Sequence, residues 1–126
     1  VTAVVYDTGA LLAAERRDAR LWALHDETLA RDIVPVVPVV VLAQAWRGGP
    51  PAALSRLLRG CRIEPDTEAV GRAAGRACGI AGTADVVDAI VVVTALLHRA
   101  AIFTSDPGDL GRIADAVDTS VRLHRI

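Results

Sequence analysis

Twice in this chain an apolar run is followed within three residues by an aspartate that stands before a helix. The first run is Ala3-Val4-Val5-Tyr6, ending at Asp7; the second is Ala101-Ile102-Phe103, followed after Thr104 and Ser105 by Asp106. Short apolar runs bounded by turn residues read as buried strands. Strands that alternate with helices build βαβ units, which require a parallel sheet with helices on both faces. In such a sheet the carboxyl ends of the strands share one edge, and ligands bind there. Acids placed directly after strands are therefore expected on one side of the molecule.

The remaining pattern continues the alternation. Strands are expected at 2–6, 33–36, 61–64, 101–103 and 120–123, and helices at 9–14, 19–31, 38–47, 52–59, 67–78 and 108–116. Another helix opens at Asp85 and Asp88, three residues apart, so that both carboxylates lean to one side. The turn at 48–51 and a break at 79–82 are marked by Gly and Pro. No repeat, low-complexity tract or linker divides residues 1–126, so one domain is expected.

Composition narrows the function classes. The formal net charge of −1 exerts no global pull toward nucleic acid or membrane. The longest apolar run, 33–43, holds two prolines and falls short of the roughly 20 residues a spanning helix needs. No basic leader precedes Asp7, and a cytoplasmic protein without a membrane partner is expected. Cys61 and Cys78 have no metal or redox spacing and read as small buried residues. His25, His98 and His124 show no ligand spacing and are expected at surface or half-buried positions. Trp22 and Trp46 sit at apolar positions suited to packing, and Arg56, Arg59 and Arg62 are candidates for contact with a phosphate-bearing ligand or for solvated surface.

Each acid has a structural role open to it. Asp7, Asp85 and Asp106 stand where helix N-caps belong, and Asp88 falls in a first turn facing the positive dipole end. Together they ask for something more. Several carboxylates at one sheet edge repel one another unless a cation sits among them, and hard oxygen donors suit Mg²⁺ or Mn²⁺.

At these residues the sequence resembles PIN domains, and among them the VapC-type toxins of bacterial toxin–antitoxin pairs. The resemblance is carried by Asp7-Thr8-Gly9-Ala10-Leu11 after the first strand, Asp88-Ala89-Ile90 opening an apolar helix, and Phe103-Thr104-Ser105-Asp106 after a later strand. It implies a three-layer α/β/α sandwich with a central parallel sheet of four or five strands. It also implies a Mg²⁺- or Mn²⁺-dependent ribonuclease, a homodimer, and a small VapB-type antitoxin as partner. Asp7, Asp88 and Asp106 fall on the family's catalytic, metal-holding acids. Thr8 and Thr104 belong to its motifs, and Asp85 and Asp109 are extra acids close by with auxiliary roles. Many members carry Glu on the helix after the second strand; here Gln44 stands there, keeping the carbonyl oxygen without the charge.

Two competing readings remain. A PIN-like binding module would keep the acids as caps and only hold a partner. Val4-Val5-Tyr6-Asp7-Thr8-Gly9-Ala10 also looks like the active-site loop of retroviral-type aspartic proteases, but that fold is all-β and 19–31, 67–78 and 88–99 are helical in period.

Overall fold

The computed structural model describes residues 2–49, 52–105, 107–118 and 120–126. In chain order its elements are β1 (Val4–Tyr6), α1 (Thr8–Glu15), α2 (Ala19–Ala30), β2 (Val36–Pro38), α3 (Val39–Ala45), α4 (Ala52–Arg59), β3 (Arg62–Glu64), α5 (Glu68–Ala81), α6 (Val86–His98), β4 (Ala101–Thr104), α7 (Gly108–Val117) and β5 (Leu123–Arg125). The five strands form one all-parallel sheet in the order β3-β2-β1-β4-β5. The α/β/α sandwich expected from the sequence is the fold observed. The parallel sheet also removes the aspartic-protease reading, because β1 feeds a helix and no all-β body exists for an Asp-Thr-Gly loop to join.

Packing explains the layers. Val4, Val5 and Tyr6 are buried on both faces of β1, as a strand between two helical layers must be. Helices α1, α2 and α4 pack together as one layer, and α5, α6 and α7 as the other, while α3 touches both α1 and α6. Helix α6 is the apolar centrepiece: Ala89, Val91, Val92, Val93, Thr94 and Ala95 are all buried. Its valines favour strand in isolation. The Asp85 cap at its start and burial around most of its circumference decide for helix, since tertiary packing overrides propensity. Among the described residues no single helix is long and apolar enough to cross a membrane.

Several boundaries differ from expectation. The second strand lies at Val36–Pro38, not 33–36, because pairing of Val36 with both Val5 and Arg62 sets its register. The last strand lies at Leu123–Arg125, not 120–123, through pairing of Phe103 with His124. The chain does not break at Gly79: α5 runs on to Ala81, and Gly82 ends it in the left-handed conformation at φ 71° that glycine adopts without strain. His25 is wholly buried rather than at the surface, 2% exposed, with its Nδ1 2.7 Å from the Tyr6 hydroxyl. Burial favours the neutral ring, which shares a hydrogen bond with the phenol. His98 contacts Glu64 at 2.8 Å, and the exposed His124 ring lies against Phe103. Cys78 is buried and Cys61 half-buried, both as free thiols; burial pushes the Cys61 thiol up to about 12, which keeps it inert at neutral pH.

Candidate metal centre

The strand order reverses between β1 and β4, and this is where a parallel sheet leaves a crevice at its carboxyl edge. Asp7 follows β1 directly and caps α1, its Oδ1 accepting from the Ala10 N–H at 2.8 Å. Asp85 caps α6 in the same way, accepting from the Asp88 N–H at 3.2 Å. Asp88 stands in the first turn of α6 and Asp109 in the first turn of α7. Three helix starts therefore converge on the crevice, and each brings its positive end toward carboxylates. Thus capping and site membership are not alternatives here: the cap fixes the carboxylate in place at the sheet edge.

Asp7, Thr8, Gln44, Asp85, Asp88 and Asp109 line one cavity of about 400 Å³, together with Gly9, Leu12 and Ser105. A carboxylate oxygen from each of Asp85, Asp88 and Asp109 lies within 4.8 Å of the other two. Burial, with Asp85, Asp7 and Asp109 crowding it, pushes the Asp88 carboxyl up to about 7. That is the electrostatic signature of a site short of positive charge. Close oxygen donors with a strained anion fit a hard divalent cation. A larger hollow, about 610 Å³, lies at the opposite edge around Thr2, Arg99, Ala101 and Arg122; it has a single carboxylate, Asp118, so size does not choose the site.

The sequence-derived candidates divide as follows. Asp7 and Asp88 line the same cavity, but Asp7 stands outside the closely spaced acid group. Asp106 lies outside the described residues. Asp85 and Asp109, expected as auxiliaries, form the tightest described acid group with Asp88. Thr8 and Gln44 do meet at the cavity: the Thr8 hydroxyl donates to Gln44 Oε1 at 2.5 Å. The Gln44 carbonyl is thereby engaged by protein. Thr104 is fully buried in β4, whereas the neighbouring Ser105 lines the cavity. Sequence reading passed over Ser105, and its signal was Gly9: a side chain there would collide with Ser105 Oγ, so the glycine lets the β4 end close over α1. Arg62 sits on the edge strand 3.8 Å from Glu64, while Arg56 stacks over Trp22 at 4.2 Å from the ring centroid.

A sequence profile of the PIN domain matches residues 4–116. The chain belongs to the PIN domain family. No curated protein sequence matches it significantly. Solved structures share its fold over nearly the full length. One is VapBC2 of Rickettsia felis bound to a DNA fragment from its promoter, with TM-score 0.75, 14% identity, and 98% of each chain covered. Another is FitAcB of Neisseria gonorrhoeae, with TM-score 0.67, 17% identity, and 97% of this chain and 96% of that chain covered. A third, FitAB bound to an IR36 DNA fragment, matches with TM-score 0.67 and 17% identity over 97% of this chain and 94% of that chain. In this PIN domain the acids at the β1–β4 crevice are the groups to test.

Gln44→Glu checks how far the cavity's own charge limits cation binding. The variant keeps an acceptor for Thr8 and adds a negative charge that Asp7 and Asp88 oppose. Offsetting attraction against that repulsion, Mn²⁺ is expected to bind about five-fold tighter, equivalent to roughly 1 kcal/mol. Calorimetric titration with Mn²⁺ reads this directly, and unchanged affinity would place residue 44 beyond the reach of the ion.

Proposed function

We propose that this protein is a divalent-cation-dependent endoribonuclease of VapC type, the toxin of a toxin–antitoxin pair. The observation that carries the reading is the convergence of Asp85, Asp88 and Asp109, with Asp7, in one cavity at the reversal point of the sheet. Membership of the PIN family and the fold shared with the VapBC2 and FitAB proteins support it. When bound, Mg²⁺ or Mn²⁺ supplies Lewis-acid polarisation of a phosphodiester and makes water a stronger nucleophile.

The chain's own residues prepare the site for that chemistry. Asp85, Asp88 and Asp109 are the holding group, and Asp7 adds negative charge in the same cavity; Asp106 is proposed to join them on the sequence pattern. Asp88 holds a proton near neutral pH in the absence of a cation and releases it when positive charge arrives. Thr8 engages the Gln44 carbonyl, so the amide N–H₂ remains the group through which Gln44 would donate to an anionic substrate. Caps at Asp7 and Asp85 keep two of the carboxylates from moving as charge develops. As a toxin the protein acts in the cytoplasm as a homodimer, held in check by a VapB-type antitoxin that covers the acidic crevice with a basic side chain.

Purified protein incubated with a panel of single-stranded and hairpin RNAs is expected to cleave only when Mg²⁺ or Mn²⁺ is supplied, and to stop on chelation. Cleavage that survives chelation, or intact RNA under every metal condition, sinks the reading and leaves a PIN-domain binding module.

A further inference from the structure

The outer helical layer carries a second cavity, of about 430 Å³, whose chemistry is the reverse of the first. It is lined by Arg17, Arg56, Arg59 and Trp22, the rest of its described lining being alanine. Among the described residues no carboxylate lies in ion-pair range of these three arginines, and none of their side-chain N–H groups donates to a protein acceptor. By contrast, Arg31 at the end of α2, Arg72 on α5 and Arg112 on α7 each hold a carboxylate at 3.1 Å or less. Arg56 and Arg59 occupy the last turn of α4, where the helix dipole favours a cation, but that accounts for neither Arg17 nor the lack of partners. Three like charges around one hollow, in a chain of net charge −1, are a local accumulation that an anion relieves.

We propose that this cavity is a phosphate-binding track for single-stranded RNA, continuing from the acidic crevice along α1. The proposal rests on RNA being the substrate. Helix α1 joins the two cavities: Thr8, Gly9 and Leu12 line the first, and Arg17, just past its end, lines the second. Its eight residues span about 12 Å, which corresponds to roughly four nucleotides of stacked strand. Arg56 lies over the Trp22 ring at 4.2 Å, so its guanidinium is pre-oriented with its N–H edge free for the bidentate contact that phosphate offers. The indole itself is occupied on that face and donates its Nε1–H to the Ala14 carbonyl at 3.2 Å, so the cavity contacts the backbone and not the bases. An acidic peptide is disfavoured because Arg56 covers the Trp22 ring and the remaining apolar lining is alanine, which leaves little for a peptide side chain to bury against.

The test uses the full chain with Arg17, Arg56 and Arg59 all changed to Gln, beside a control with Arg31, Arg72 and the exposed Arg76 changed to Gln, which removes the same charge away from both cavities. Binding of a labelled 12-nucleotide single-stranded RNA is followed by anisotropy in chelator across a salt series. Three lost phosphate contacts should flatten the log K against log salt slope by about 2 and weaken binding about ten-fold or more at low salt, while the control stays near wild type. A 3-nucleotide RNA, which fills the cavity without reaching the crevice, should bind wild type more weakly than the 12-mer and lose that binding in the cavity variant. Arg→Lys at the same three sites should restore the slope, which separates lost charge from lost packing. Equal slopes for the cavity variant and the control overturn the track. So does arginine-dependent capture of a deca-glutamate peptide without effect on RNA. Divalent-dependent cleavage with wild-type length preference in the cavity variant removes the track and leaves the nuclease; a lost slope in a protein that cleaves nothing leaves the track and removes the nuclease.

Discussion

Asp88→Asn is expected to lower divalent-dependent RNA cleavage about 100-fold or more and, in the same sample, to raise the melting temperature of the cation-free protein at pH 8. The first effect follows from removing one of three carboxylates that share a site. The second follows from proton linkage. Asp88 has its folded value raised to about 7, so the folded state holds the proton more tightly than the unfolded chain. Its contribution to stability is complete below about 3.8 and is lost as pH rises through about 7. A carboxyl moved that far is worth roughly 4 kcal/mol where water is excluded; Asp88 is only half-buried, so screening leaves about 1–2 kcal/mol. That equals a gain of roughly 3–8 °C for the variant. Asparagine removes the charge and still donates to Asp85. His25 works with the opposite sign, since burial lowers its value: it stabilises above 6.5 and that stability is lost as pH falls. The difference between wild type and Asp88→Asn, followed from pH 4 to 8, cancels His25 and isolates Asp88. Asp7→Asn should also lose activity but leave stability nearly unchanged, because Asn caps a helix as well as Asp. Activity retained in both variants would dismiss the crevice as the active site.

The acids were legible because capping and position at the sheet edge leave the same mark in the sequence. An aspartate after an apolar run is a capping signal, and the parallel sheet sends such caps to one edge, so Asp7, Asp85 and Asp88 were placed by local pattern plus topology. The closeness of Asp109 to Asp85 and Asp88 was not legible, because it depends on how α7 packs beside α6, which no spacing encodes. His25 misled for the same reason: its partner Tyr6 lies 19 residues away on another element. Strand ends moved because register is decided between strands. Ile33 and Val34 have the better local propensity, yet it is Val36 that meets Val5. Gly79 looked like a stop and was not, since glycine inside a helix costs only about 1 kcal/mol and the left-handed residue that ends α5 comes three positions later.

Cation affinity is expected to fall steeply with acid. A divalent ion at Asp85, Asp88 and Asp109 must displace the proton that Asp88 holds with a value of about 7. Below that value each pH unit should weaken binding nearly ten-fold, and above it binding should level off. Between pH 7.5 and 5.5 a single competing proton gives a loss of roughly 25-fold. In the melting curve the same competition appears as a smaller stabilisation at a fixed Mn²⁺ concentration, since the gain follows RT ln(1 + [L]/Kd). Asp88→Asn supplies the control. With no proton to displace, its affinity should be weaker at pH 7.5 and nearly flat across the range, so wild type and variant converge toward pH 5.5. Calorimetry with Mn²⁺ at the two pH values distinguishes the cases, and the proton released on binding should be close to one near pH 6 in wild type and near zero in the variant. A wild-type affinity that changes less than about two-fold, together with tight binding by Asp88→Asn, would mean that the ion is held without Asp88. The raised carboxyl would then be a consequence of crowding at three helix starts, and the cation would have to be sought on the Asp7 wall of the cavity.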